Sequence, residues 1–159
     1  MSNEENLFYG VPQGSVLGPT LFLIHVNELC QLSLLNTKII TYADDTALIT
    51  HGKDWSKIRE RAELAQRMIM MWLTLNLLTL NISKTKFIPF TPSILSEPPL
   101  SFEIRIHVCI IPVANTCSCA QIDMSDSIKY LGVILDNVLT WKKQINFSCG
   151  SSQKIDLLV

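Results

Sequence analysis

Charged residues are scarce in this sequence, and neither sign is in excess. Asp, Glu, Lys and Arg make up 17% of the 159 residues, and the formal net charge is −1, whereas about 25% is usual for a soluble domain. Charge alone therefore gives no indication of a nucleic-acid-binding protein. A hydrophobic share of 48% argues against intrinsic disorder. We expect one domain with a substantial core. We also expect the chain to be a piece of a larger protein.

Membrane and secretion signals are also lacking. No apolar run approaches the roughly 20 residues of a membrane-spanning helix, because polar residues such as Asn27 and Glu28 interrupt the apolar segments. The acidic, polar start of the chain does not resemble a secretory signal. The five cysteines are an odd number, so a disulfide framework is not expected. We therefore expect an intracellular protein that is neither secreted nor embedded in a membrane, in an unknown compartment.

Hydrophobic spacing predicts an α+β fold. An antiparallel sheet is expected around the turn Ala43-Asp44-Asp45, with helices 20–32 and 55–76 covering one face and Asp54 capping the second helix. The turn itself is flanked by two short β-branched strands. The predicted strands are 38–42, 46–50, 86–90, 101–111, 116–122 and 128–135, and Thr140 is expected to cap a short helix that ends at Ile145.

Two adjacent carboxylates, Asp44 and Asp45, are the first candidates for chemistry. Carboxylates between hydrophobic strands are costly unless the turn is exposed or a cation is bound. Aspartate is also common in solvated turns. Hard oxygen ligands suit Mg²⁺, which usually takes one or two carboxylates together with substrate phosphates. From the pair alone, a solvated turn and a magnesium site both stay open.

Four motifs carry a resemblance to a known family. Tyr42-Ala43-Asp44-Asp45 resembles the catalytic motif of reverse transcriptases. The segment 10–19, Gly-Val-Pro-Gln-Gly-Ser-Val-Leu-Gly-Pro, resembles the loop and helix that precede that motif. Segments 81–86 (Asn-Ile-Ser-Lys-Thr-Lys) and 130–133 (Tyr-Leu-Gly-Val) resemble the two motifs that follow it. In this order, the set is similar to the reverse transcriptases of non-LTR, LINE-like or Jockey-like retrotransposons, from about residue 10 to about residue 145.

The resemblance implies an RNA-directed DNA polymerase that uses Mg²⁺ or Mn²⁺. Its partners would be an RNA template, a DNA primer and deoxynucleoside triphosphates. Asp44 and Asp45 would be the metal ligands, and Lys84 would lie near the nucleotide phosphates as the third catalytic residue. The implied substrate-binding residues, which would border the nucleotide, the template or the primer strand, are Gln13, Gly14, Ser15, Tyr42, Tyr130, Leu131 and Gly132.

The sequence departs from the family pattern at its start. The family's palm carries another aspartate on a strand before the segment 10–19, and none of the first nine residues is Asp. We therefore expect residues 1–135 to be a partial palm and residues 136–159 to be the start of a thumb-like connection and an irregular tail. Fingers and thumb would be missing, so the chain alone is expected to be inactive. The alternative is a catalytically dead or domesticated remnant that binds nucleic acid or a protein.

A zinc site is a third possibility. His107, Cys109, Cys117 and Cys119 form a His-x-Cys and Cys-x-Cys pattern across a predicted hairpin. Each pair is separated by one residue, whereas common zinc sites have two to four. This spacing favours a hairpin with incidental cysteines.

Overall fold

The computed structural model describes residues 14–91, 97–107 and 119–152. It combines helices with small sheets and is compatible with the α+β class. The described helices are α1 (Gly18–Cys30), α2 (Trp55–Leu75) and α3 (Lys142–Ser152), and none of them is long and apolar enough to cross a membrane. The strands are β1 (Thr37–Tyr42), β2 (Asp45–Thr50), β3 (Lys86–Phe87), β4 (Asp123–Met124), β5 (Ser127–Tyr130) and β6 (Val133–Asp136). The chain divides into two compact units, Met1–Gly52 and Lys53–Val159.

The first unit is built on the hairpin of β1 and β2. The two strands pair antiparallel, in a register that ends with Tyr42 opposite Asp45. Because side chains alternate along a strand, Ile39 and Thr41 share one face. α1 lies against this face: Ile39 is buried, and Cys30 Sγ lies 2.9 Å from Thr41 Oγ1. The predicted pair of strands joined by an acidic turn is confirmed.

The second unit contains the predicted amphipathic helix. Asp54 caps α2, because its side chain accepts a hydrogen bond of 2.8 Å from the backbone N–H of Lys57. One stripe of α2 is buried at helical spacing, and it consists of Ala62, Ala65, Ile69 and Trp72. Ala62 belongs to a buried cluster that also contains Ile104, Ile106 and Ile122. The predicted helix and its cap are confirmed, and its apolar face packs on the core of its own unit.

The strands of the second unit differ from the prediction. The segment 128–135 is not one strand, because the chain reverses at Leu131 and Gly132 and forms the antiparallel hairpin of β5 and β6. Positive φ angles at both turn residues, 47° and 84°, are the pattern of a type I′ turn. The predicted strand 86–90 is reduced to Lys86–Phe87, and it pairs parallel with β4. Among the described residues the strands form three separate pairs rather than one antiparallel sheet.

The predicted hairpin of 101–111 and 116–122 is described only in part. Arg105 and Gln121 form an antiparallel bridge, and the backbone N–H of Ile106 donates to the carbonyl of Ala120 at 2.9 Å. Residues 108–118 lie outside the described part of the chain. α3 begins two residues after the predicted cap Thr140 and continues to Ser152, beyond the predicted end at Ile145.

Candidate active site

The turn that carries the two carboxylates has a strained backbone. Ala43 and Asp44 connect β1 to β2, and Ala43 has a φ of 51°. A positive φ at the first turn residue alone is the pattern of a type II′ turn, in which glycine is usual. For an L-residue the left-handed conformation costs about 1–2 kcal/mol. Backbone strain of this kind is concentrated at active sites and switch regions.

The side chains at this tip are open to solvent. Asp44 and Asp45 are exposed, and Tyr42 is 65% exposed. Tyr42 and Asp45 face each other in the last pair of the ladder, so their side chains lie on the same face of the hairpin. This is the face away from α1, and Ile40 and Ile49 on it are also exposed. The carboxylates therefore stand at the end of an open, largely apolar strand face.

The donor set at the tip fits a hard divalent cation that is shared with a substrate. No group of three or more His, Cys, Asp and Glu side chains among residues 14–91, 97–107 and 119–152 could hold a metal ion by itself. Mg²⁺ usually binds one or two protein carboxylates and keeps its other positions for water and phosphate oxygens. Asp44 and Asp45 supply this number of carboxylates, so they fit an open magnesium site and not a closed cage.

The loop before α1 carries two predicted substrate-binding residues, while Gln13 lies outside the described residues. Gly14 is exposed and has a φ of 84°, and a Cβ added there would meet no atom within 4 Å. Its backbone conformation, rather than lack of space, therefore requires glycine. Ser15 Oγ accepts a hydrogen bond of 3.0 Å from the backbone N–H of Gly18. Ser15 thereby fixes the start of α1, which follows directly.

Lys84 belongs to the second unit, where an asparagine shapes its surroundings. Asn81 Oδ1 accepts hydrogen bonds from the Lys84 backbone N–H at 3.2 Å and from Ser83 Oγ at 2.8 Å. Thr85 Oγ1 donates to the Asn81 carbonyl at 2.9 Å. These bonds cap the short 3₁₀ turn Ile82–Lys84. The Lys84 side chain is exposed at the end of this turn.

The predicted primer-contacting residues form the β5–β6 turn, also in the second unit. Leu131 is 47% exposed, and Gly132 follows it at the tip. The hydroxyl of Tyr130 is buried and has no hydrogen-bond partner among the described residues. Asp44 and Asp45 belong to the other unit, so the candidate residues fall into two groups, each with its own geometry.

Sequence reasoning missed Asp136, which is a buried carboxylate just after this turn. Its oxygens accept hydrogen bonds from the backbone N–H groups of Val138, Thr140 and Trp141 at 3.2, 2.9 and 3.0 Å, and from Thr140 Oγ1 at 3.1 Å. The bond from the Thr140 N–H is the main reason that the pKa of Asp136 is lowered. The only available signal was an Asp four residues before a Thr, which is too common to single out.

The zinc alternative loses a ligand in the structure. Cys119 is disulfide-bonded, contrary to the expectation of reduced cysteines, and a disulfide sulfur is not the thiolate that a metal binds. Cys109 and Cys117 lie outside the described residues. His107 Nε2 lies 3.6 Å from Glu63 Oε2 on α2.

Comparisons with known proteins place the chain in a family. The family described as "Reverse transcriptase (RNA-dependent DNA polymerase)" matches residues 3–135. The chain is 28% identical over 148 residues to the "Probable RNA-directed DNA polymerase from transposon X-element" of Drosophila melanogaster, covering 91% of the chain and 15% of that protein. It is 30% identical over 146 residues to the "RNA-directed DNA polymerase from mobile element jockey" of Drosophila funebris, covering 86% of the chain and 14% of that protein.

The chain thus spans a small part of the length of these relatives, and no solved structure matches it. The match to the family nevertheless includes the hairpin with its two aspartates and both motifs of the second unit. The chain belongs to the reverse transcriptase family, as a reverse transcriptase domain whose homologues are polymerases of non-LTR retrotransposons.

Proposed function

We propose that this chain supplies part of the palm of an RNA-directed DNA polymerase, which joins deoxynucleoside triphosphates to a primer along an RNA template. The observation that carries the proposal is the pair Asp44 and Asp45, exposed at the tip of a strained hairpin within the segment that matches the family. Residues 1–135 are assigned to the palm, with the β1–β2 hairpin and α1 in the first unit and α2 in the second. Residues 136–159 are assigned to the start of a thumb-like connection and a tail.

Asp44 and Asp45 are assigned to hold Mg²⁺ or Mn²⁺. When bound, such ions stabilise the attacking and leaving oxygens of a phosphoryl displacement. Neither carboxylate takes part in a hydrogen bond among the described residues, so both keep their oxygens for a cation. The open turn leaves room beside them for phosphate groups. Asp44 is the principal ligand in this proposal, and Asp45 supplements it.

The remaining candidates are assigned to the substrates. Tyr42 packs beside the primer terminus, because it shares a face with Asp45. The loop 13–15 borders the incoming nucleotide and the template. The exposed ammonium group of Lys84 serves the nucleotide phosphates, as a charge partner or as a proton donor to pyrophosphate. The turn 130–132 holds the primer strand. Fingers and thumb come from other parts of the polymerase.

Primer extension in a chimeric polymerase tests the proposal. Residues 3–152 replace the corresponding segment of the jockey polymerase of Drosophila funebris, so that the rest of the enzyme is present. Asp44→Asn should reduce extension at least about a hundredfold, the scale seen when one transition-state contact is removed. Glu28→Gln, which changes an exposed carboxylate of the same unit, is the matched control and should keep the activity. Equal activity of both variants contradicts the assignment of Asp44.

The isolated 159-residue chain should not extend a primer in the same assay. The family's palm uses a further aspartate from an earlier strand, and this sequence has no Asp before Asp44. Phosphoryl transfer depends on positioning and charge stabilisation, so the loss of a metal ligand is severe. Extension by the isolated chain contradicts this part of the proposal. A folded chimera that binds primer and template but extends nothing would favour the alternative, a remnant that acts as an interaction module.

A further inference from the structure

The connection between β6 and α3 is held by one buried carboxylate. Asp136 ends β6 and is 5% exposed, and three backbone N–H groups and one hydroxyl of the residues 138–141 donate to it. Hydrogen bonds to an ionised acceptor are shorter and stronger than neutral ones. The Asp136 carboxylate therefore binds three of the five residues of the loop 137–141. The other two are held by backbone hydrogen bonds, since the Asn137 N–H donates to the Asp126 carbonyl and the Leu139 N–H to the Asp136 carbonyl.

Two residues of this loop have a strained backbone, and one of them, Trp141, donates its N–H to Asp136. Leu139 has a φ of 56° and Trp141 a φ of 63°, a conformation that is unfavourable for residues with a Cβ. Such residues persist only where the surrounding structure enforces them. The enforcing contacts are the hydrogen bonds to the Asp136 carboxylate from Val138 and Thr140, on either side of Leu139, and from Trp141 itself. Without them, the loop is expected to relax to more common backbone angles.

α3 is tied to both strands of the hairpin. Gln144 Oε1 accepts a hydrogen bond of 2.8 Å from the backbone N–H of Ile134 in β6. Lys143 Nζ donates to Asp126 Oδ2 at 2.9 Å and to Ser127 Oγ, at the start of β5, at 2.8 Å. α3 therefore contacts the hairpin through side chains of its first turn. These contacts depend on where the preceding loop places that turn.

We propose that Asp136 is a positioning residue, whose carboxylate locks the loop 137–141 and thereby fixes α3 on the β5–β6 hairpin. The hairpin turn Leu131–Gly132 and α3 then behave as one rigid body. The consequence for primer binding rests on the proposed function, which assigns this turn to the primer strand. The rigidity itself does not depend on that assignment.

Amide hydrogen exchange of Ile134 in the full 159-residue chain tests the rigidity. Tyr130 and Val133 flank the two-residue turn as a hydrogen-bonded pair, so the next pair, Lys129 and Ile134, is not hydrogen-bonded across the ladder. The Ile134 N–H therefore depends on Gln144, and it reports whether α3 stays docked. Asp136→Asn should accelerate its exchange at least about tenfold, because the loss of a buried charged acceptor releases the loop.

Matched measurements show whether the effect is specific. The Leu135 amide, which faces Ile128 in a hydrogen-bonded pair, should keep its protection in Asp136→Asn. Gln144→Ala removes the acceptor of the Ile134 N–H directly. It therefore gives the largest acceleration of the Ile134 amide exchange that undocking can cause. Unchanged exchange of Ile134 in Asp136→Asn, with the fold retained, overturns the proposal.

Asp136→Asn could unfold the second unit, and fast exchange of the α2 amides would then show it. A milder variant is used in that case. Thr140→Val removes only the hydroxyl bond to Asp136 Oδ2 and keeps the side-chain size. It should accelerate the exchange of the Ile134 amide by a smaller factor than Gln144→Ala. If Thr140→Val leaves that exchange unchanged, the proposal is overturned on this variant alone.

The chimeric polymerase separates positioning from a purely structural role. Asp136→Asn should raise the KM for primer–template about tenfold and leave kcat within a few-fold, because the carboxylate does not touch reacting atoms. An unchanged KM, together with faster exchange of the Ile134 amide, shows that Asp136 has a structural role only. This result overturns the proposal that Asp136 positions the primer. If the unmodified chimera is inactive, the proposed function fails, and the exchange of Ile134 still decides the rigidity.

Discussion

Replacing Ala43 with glycine should stabilise the hairpin that carries the two aspartates. Ala43 has a φ of 51°, and this conformation costs an L-residue about 1–2 kcal/mol. Glycine avoids that cost but loses more chain entropy on folding, by about 0.5–1 kcal/mol. The difference predicts that Ala43→Gly raises the free energy of opening of the hairpin by about 0.75 kcal/mol, midway between limits of about 0 and 1.5 kcal/mol.

The assay has to report on the first unit alone. The tryptophans, at positions 55, 72 and 141, all belong to the second unit, so their fluorescence does not follow the hairpin. Amide hydrogen exchange of the β1–β2 ladder gives its opening free energy directly. Ala47→Gly is the matched control, because Ala47 lies within β2 opposite Ile40 and has no positive φ.

The two substitutions should have opposite signs. Glycine inside a strand is unfavourable by about 0.5–1 kcal/mol relative to alanine, so Ala47→Gly should lower the opening free energy. Ala43→Gly should raise it. If both substitutions lower the opening free energy by similar amounts, the turn does not hold Ala43 in a strained conformation, and the argument from backbone strain is refuted.

Two further predictions concern the second unit. Gly132→Ala should lower the free energy of unfolding by about 1–2 kcal/mol, because Gly132 has a φ of 84°. Steric clash does not contribute, since no atom lies within 4 Å of an added Cβ. The control Gly150→Ala, in α3, should leave the free energy of urea unfolding unchanged or raise it. The hydrogen bond from the Thr140 N–H lowers the pKa of the Asp136 carboxyl below its ordinary value. The stabilisation is therefore complete above that ordinary value and is lost as pH falls through the folded-state pKa. In urea unfolding between pH 7 and pH 2, the free energy of unfolding should fall less in Asp136→Asn than in the unsubstituted chain. An equal fall in both contradicts this role of Asp136.

The sequence predicted the elements that have strong local patterns. The strands around Ala43-Asp44-Asp45 were predicted from two short β-branched runs, and the observed register keeps both aspartates at the tip. α2 was predicted from apolar residues at helical spacing after Asp54, which does cap the helix. In both cases the local pattern and the tertiary packing favour the same structure.

The elements that were missed depend on backbone conformation or on distant pairing. The run from Ile128 to Leu135 is mostly apolar, with Lys129 and Gly132 as exceptions. Leucine at the first, left-handed turn position gives no turn signal, so the β5–β6 reversal was predicted as one strand. β3 pairs with β4, which lies far along the chain, and strands this short have no readable period. The α+β class was predictable, but the separate strand pairs were not.

The candidate site was predictable in its chemistry and only partly in its geometry. The resemblance identified Asp44 and Asp45, and the hairpin places them together at an exposed turn. The strain at Ala43 could not be predicted, because alanine at a type II′ position is unusual. The roles of Asp44 and Asp45 stay predictions, as do those of Lys84 and of the turn 130–132, which belong to the other unit.

Manganese binding to the tip of the hairpin tests whether Asp44 and Asp45 hold the metal ion. Mn²⁺ is added to the isotope-labelled 159-residue chain, with and without a deoxynucleoside triphosphate, and paramagnetic broadening of each amide signal is measured. We predict weak binding that broadens the amides of Ala43, Asp44 and Asp45 first, is strengthened by the nucleotide, is lost in Asp44→Asn and is kept in Glu28→Gln. Broadening centred elsewhere, or tight binding that survives Asp44→Asn, would contradict the assignment of this turn as the metal site.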